Sequence, residues 1–154
     1  MKWFTFFAVL IFIVSCSTVQ PGDQAAIRQM VESREYVFSA HSALPSRSSS
    51  IPVAGSGYDL KVLGDSLSVY LPFFGRATDA TAGRTGGPIE LRTKDFSYSS
   101  NRTSKRWEVQ IIPRGNTNIR QMNLSISENG NASLLVISNN RENISFSGTI
   151  SSKK

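Results

Sequence analysis

Two residue types limit the chemistry open to this 154-residue chain: it has one cysteine, Cys16, and one histidine, His41. A lone cysteine cannot close an internal disulfide or supply a cysteine-based zinc or iron–sulfur site. A lone histidine excludes the two-histidine metal motifs. His41 could act as a general base, but no Gly-x-Ser-x-Gly nucleophile elbow is present to give it a partner. Placed at the end of an extended run, it reads more simply as a solvent-exposed side chain. The eleven carboxylates are scattered singly, with no pair set for glycoside chemistry. Gly55-x-Gly57 lacks the third glycine and following helix of a dinucleotide fingerprint, and Gly83-Arg84-Thr85-Gly86-Gly87 has no Walker lysine. The expectation is a non-enzymatic protein with no cofactor and no metal.

The position of Cys16 suggests another use for it. Lys2 is followed by a run from Trp3 to Val14 in which only Thr5 is not apolar. A cation, such a run and then small residues is the plan of a secretory signal peptide. As a helix the run reaches only about 18 Å, short of a ~30 Å hydrocarbon core. It ends in Ile13-Val14-Ser15-Cys16, which resembles the lipobox of bacterial lipoproteins, where the cysteine becomes the first mature residue and carries the acyl chains. Several chains on one residue suffice for stable anchoring. Residues 1–15 are thus expected to be a removed signal peptide, Cys16 the lipidation site and 16–22 a tether. The alternative is ordinary cleavage at the Ser15-x-Ser17 pattern, leaving a soluble secreted or periplasmic protein.

The remainder, residues 23–154, reads as one globular domain; the whole chain is 40% hydrophobic and 18% charged, with a net charge of +6. Ile27, Met30 and Val31 share a helical face over Asp23 to Arg34, with Asp23 as a candidate N-cap. From Tyr36 onward apolar and polar residues alternate. Tyr58, Leu60 and Val62 share one face, as do Leu67, Val69 and Leu71. The same holds for Trp107, Val109 and Ile111, and for Met122, Leu124 and Ile126. Leu134 with Val136, and Ile144 with Phe146 and Ile150, complete the series. One dry and one wet face mark antiparallel sheet. The apolar parity switches between Ile89-Leu91 and Phe96-Tyr98, which predicts a bend near Thr93-Lys94-Asp95. Asn129-Gly130 is a type I′ hairpin signal, and Gly64-Asp65, Arg114-Gly115-Asn116 and Ser138-Asn139-Asn140 are further turns. Ala43–Gly57 and Gly75–Pro88 read as long loops. The expected fold is all-β with one short N-terminal helix: about eight strands in an antiparallel meander, closed as an up-and-down barrel or folded as a two-sheet sandwich.

Tyr70-Leu71-Pro72-Phe73-Phe74-Gly75-Arg76-Ala77 is the most distinctive stretch. With Tyr36-Val37-Phe38-Ser39-Ala40, Gly86-Gly87-Pro88-Ile89, Asp95-Phe96-Ser97-Tyr98, Ser138-Asn139-Asn140-Arg141 and Ile144-Ser145-Phe146-Ser147-Gly148, it resembles a bacterial lipoprotein family known as domain of unknown function 4251. Pro88 departs from the small or apolar residue expected there. The resemblance implies a Bacteroidetes-type envelope lipoprotein with a lipocalin-like β-barrel, and it implies no activity. Asp65-Ser66-Leu67 is similar to the O-glycosylation acceptor of those bacteria, although Asp65-Ser66 is also plain turn chemistry. The sequons at Asn101, Asn123, Asn131 and Asn143 matter only in a eukaryotic secretory pathway.

Two features suggest where such a protein would act. Nine basic residues stand against four acidic ones between Arg76 and Arg120. That surplus suits anionic headgroups or acidic glycans, or simply cationic strand edges that discourage aggregation. The Phe73-Phe74 pair could plug the barrel end or form a lip over an apolar cavity, with Tyr70 beside it and Arg76 as a polar anchor. The primary expectation is an outer-membrane lipoprotein facing the periplasm that binds a small apolar or glycan ligand, or an envelope protein, near Phe73–Pro88. Nucleic acid is not an expected partner. The alternative is a structural accessory of an envelope complex, its barrel filled by side chains.

Overall fold

The structure, a computed structural model, describes residues 21–74, 87–115 and 117–153, with side chains from Gln24 onward. Cys16, the apolar leader, Arg76 and most of the Gly75–Pro88 stretch lie outside the described residues. The chain opens with helix α1, Pro21–Ser33. It continues through strands β1 Glu35–Pro45, β2 Ile51–Pro52, β3 Asp59–Leu63, β4 Ser66–Leu71, β5 Ile89–Thr93, β6 Phe96–Thr103, β7 Arg106–Pro113, β8 Ile119–Ser127, β9 Asn131–Ser138 and β10 Ile144–Ser151.

All pairings are antiparallel, in the order β5-β4-β3-β1-β10-β9-β8-β7-β6, with β2 on β1. The meander curls until β1 meets β10, joining the two ends of the domain with the register Val37↔Ser151 to Pro45↔Ile144. The result is a nearly closed barrel rather than a sandwich. Its one seam lies between β5 and β6, which follow each other in the chain yet do not pair. The chain bends there, where parity predicted it: Asp95 N–H donates to Thr93 Oγ1 at 2.9 Å, turning the backbone between the two strands.

The dry faces read from alternation are the core. Leu60, Val62, Leu67, Leu71, Ile111, Met122, Leu124, Ile126, Leu134 and Val136 are fully buried, and Tyr36, Phe38 and Phe146 join them inside. Burying each such side chain contributes about 1.5–3 kcal/mol before the entropy of ordering it. No charged side chain is buried among the described residues. The interior is therefore packed with apolar side chains.

Four local expectations are corrected. The helix starts at Pro21 rather than at an Asp23 cap, because proline's fixed φ suits a first turn. The strands number ten rather than about eight. Part of the expected Ala43–Gly57 loop is ordered: β1 runs on to Pro45, Ala43 is buried, and β2 returns against Ser42-Ala43. Finally, Asn129-Gly130 does not form a two-residue type I′ turn. Of its residues only Gly130 has positive φ (83°), and Gly130 N–H donates to Ser127 C=O at 2.9 Å. This is a three-residue loop with glycine in the left-handed position, the type I plus bulge solution.

The candidate functional site at the loop end of the barrel

The two ends of the barrel are built differently. At the helix end, α1 lays Ile27 and Val31 onto the core, and Arg34 ends it in the left-handed region (φ 59°). Arg34 C=O accepts from Gly64 N–H at 2.9 Å, tying the helix to the β3–β4 turn. Tyr36 and Tyr98 hydroxyls lie 3.3 Å apart, and Tyr98 donates to Val31 C=O at 3.2 Å. A hydroxyl has one hydrogen, so the chain of donation runs Tyr36 to Tyr98 to Val31. The Arg34 guanidinium sits 4.8 Å from the Tyr98 ring centroid. Burial pushes the Tyr36 phenol well above its ordinary pKa, with the neighbouring Tyr98 adding to the effect. Burial raises Tyr98 as well, against the lowering effect of the Tyr36 hydrogen bond and of Arg34.

At the loop end, Leu71, Pro72 and Phe73 turn inward and Phe74 turns out, 44% exposed. Arg141, in the β9–β10 loop, reaches both stems of the segment that follows. Its guanidinium lies 4.9 Å from the Phe73 ring centroid and donates through Nη1 to Gly87 C=O at 2.8 Å. Next to it the β9–β10 and β7–β8 loops are laced together. Asn139 N–H donates to Asn118 C=O at 2.9 Å, Asn139 Nδ2 to Thr117 C=O at 3.3 Å, and Asn140 Nδ2 to Asn118 Oδ1 at 3.4 Å. Asn140 Oδ1 is buried with no hydrogen-bond partner among the described residues. Between these loops and β5 opens a cleft of about 200 Å³. Pro88, Ile89, Glu90 and Leu91 form one wall, Thr117, Asn118 and Ile119 another, with Ser138 and Arg141 completing it.

A larger depression of about 420 Å³ lies on the outer sheet face, among His41, Arg106 and short polar residues such as Ser125, Ser133 and Ser147. Binding sites combine apolar walls with a few placed polar groups, as the cleft at the loop end does and this depression does not. A further depression of about 320 Å³ beside α1, among Ala26, Met30, Glu35 and Lys153, lacks an arginine held in place by its neighbours. His41 itself is exposed at a bulge in β1, where its carbonyl accepts from Val53 N–H at 2.8 Å. No hydrogen bond or ion pair joins its imidazole to a serine or carboxylate among the described residues. Nor do those residues gather three metal-ligating side chains. No helix among them is long and apolar enough to cross a membrane.

Of the described ligand-site candidates Tyr70, Phe73 and Phe74, Phe73 alone is drawn into the contact that builds this end. Tyr70 lies on the wet face of β4, 42% exposed, its ring 5.6 Å from that of Tyr58. Phe74 projects to solvent, so the pair divides into one core residue and one rim residue. Arg76 and Cys16 lie outside the described residues. Of the described residues of the basic stretch, Arg92 lies on β5, Arg102 on β6, and Lys105 and Arg106 beside the β6–β7 turn. Sequence reading missed Arg141, which stood in plain view as the last residue of Ser138-Asn139-Asn140-Arg141. Its partners are 54 and more residues away, and no local pattern reports such a contact.

The fold agrees with what known proteins show. The profile of the family described as domain of unknown function (DUF4251) matches residues 20–150. The chain belongs to this family. No curated protein matches it. Among solved structures, the crystal structure of a DUF4251 family protein from Bacteroides eggerthii is similar over 85% of this chain and 88% of that one. The TM-score is 0.61 at 13% identity. At that identity the likeness speaks for a shared DUF4251 fold and for nothing finer.

Proposed function

We propose that this protein is a lipid-anchored, non-enzymatic binding module of the bacterial envelope, which recognises its target at the loop end of the barrel. One observation carries the reading: the barrel is filled and its two ends differ. Among the described residues the interior is packed with apolar side chains and the cleft opens at the surface, which favours recognition there. Helix α1 covers one end. The other carries a cleft with apolar walls, an arginine held in place by Phe73 and Gly87, and the exposed Phe74 at its rim. The anchoring half rests on the leader and on Cys16, which place acyl chains seven residues before Asp23.

Native mass spectrometry of membrane fractions carrying the full chain, Cys16→Ala or Arg141→Gln tests both halves at once. The wild type should stay with the membrane and carry an added mass, from a ligand or a partner. Cys16→Ala should be released, and Arg141→Gln should stay but fly at its bare mass. Retention of Cys16→Ala would overturn the anchor. An added mass that survives Arg141→Gln would overturn the placing of the site.

A further inference from the structure

The cleft is lined by the edge of a strand. Neighbouring residues of a strand point their side chains to opposite faces, so a wall that draws on Ile89, Glu90 and Leu91 in succession presents the strand's backbone. β5 pairs with β4 on one side, from Leu71↔Ile89 to Leu67↔Thr93. On its other side, among the described residues, no backbone group of Ile89, Glu90 or Leu91 is hydrogen-bonded. The volume, about 200 Å³, falls short of the ~300–1,000 Å³ of small-molecule pockets. It suits a shallow groove along which an extended chain lies, its alternate side chains dropping towards Ile89, Leu91 and Ile119.

The charges select the occupant. Glu90 is the one carboxylate among the described lining residues, and Glu142, which follows Arg141, is paired with Arg47 at 3.3 Å. Arg141 lines the groove, and Arg92 and Arg120 directly follow Leu91 and Ile119. Cations at a free edge repel the same edge of a second copy and attract an acidic strand. Arg141 is already oriented by the Phe73 ring and Gly87 C=O, which engages one of its five N–H groups. A guanidinium fixed in this way takes a carboxylate with little further loss of freedom. Resting on the loop-end reading above, we infer that the cleft receives an extended acidic peptide segment of another protein. That segment adds to the free edge of β5 and sets a carboxylate on Arg141.

A randomised octapeptide display library, panned on the detergent-solubilised full chain, tests this. Enriched sequences should be acidic, with β-branched or apolar residues at alternate positions. Binding of the synthesised peptides should fall about ten- to a hundredfold in Arg141→Gln, the loss of one charged hydrogen-bonded contact. Arg92→Glu should weaken them in the same direction, should the first variant loosen the Gly87 stem. Methylating one alternating set of peptide nitrogens should cost at least as much, while the other set is tolerated, because an added strand bonds through every second residue. No enrichment, enrichment without acidic residues, or equal tolerance of both methylated sets would overturn the inference. If peptides fail but a photo-crosslinker at Phe74 still captures a target, the peptide falls and the loop-end reading stands. If crosslinks form only at the helix end, that reading falls too.

Discussion

Arg141 performs two structural tasks with one side chain, packing on Phe73 and holding Gly87 C=O; on the proposed reading, its other N–H groups would take a carboxylate. Gly148 acts by having no side chain. It faces Ala40 beside the β1 bulge, and a Cβ there would run into the Ser39 carbonyl oxygen and crowd the Phe38 ring. Backbone cannot step aside as a flexible side chain can, so Gly148→Ala should destabilise the fold by about 2–3 kcal/mol. Urea unfolding should show this as a lower midpoint at unchanged slope, and a wild-type midpoint would refute the close β1–β10 approach. The Tyr36–Tyr98 pair makes a prediction about pH. Burial raises both phenols above the ordinary value of 10.0, so the fold favours their protonated forms. Their contribution is complete below pH 10 and is lost as pH rises through the higher folded values, at up to about 1.4 kcal/mol per pH unit for each tyrosine. Tyr36→Phe should flatten the fall in unfolding free energy above pH 10. An identical fall in both proteins would contradict the buried pair.

Among the elements, strands with one wet face could be read because burial there follows a period of two. Leu67, Val69 and Leu71, or Met122, Leu124 and Ile126, could hardly be arranged otherwise. The β5–β6 corner was legible for the same reason, since reversing parity over five residues requires a bend. β2 escaped notice because two residues contain no period. The Glu128–Gly130 loop departed from expectation because one left-handed glycine serves either turn type, and only the strand register decides between them. Half of the proposed site was legible: the Phe73-Phe74 block lies at the loop end, beside the cleft. The other half, Arg141 and the free edge of β5, exists only once strands distant in sequence are brought together. The edge can be measured directly. In hydrogen exchange, alternate amides of Ile89–Arg92 should exchange markedly faster than those of β9, which is paired on both sides. Uniform protection across β5 would mean that its second edge is already occupied.

At the scale of the whole molecule, polarity links fold to function. The chain enters the domain through α1, at the end where Arg34 is bonded to the β3–β4 turn, and an anchor at Cys16 would join the molecule there. The cleft, Phe74 and Arg141 stand at the opposite end, turned away from such an anchor and towards whatever lies in front of it. On the proposed reading, the apolar-packed barrel would serve as a spacer and rigid frame for one recognition surface. Site-specific photo-crosslinking in living cells tests this claim most directly, with the reactive residue placed at Phe74 in one strain and at Asn129, beside the helix end, in another. The account predicts adducts from Phe74 that Arg141→Gln abolishes, and none from Asn129. Adducts from Asn129 alone, or Phe74 adducts indifferent to Arg141, would contradict it.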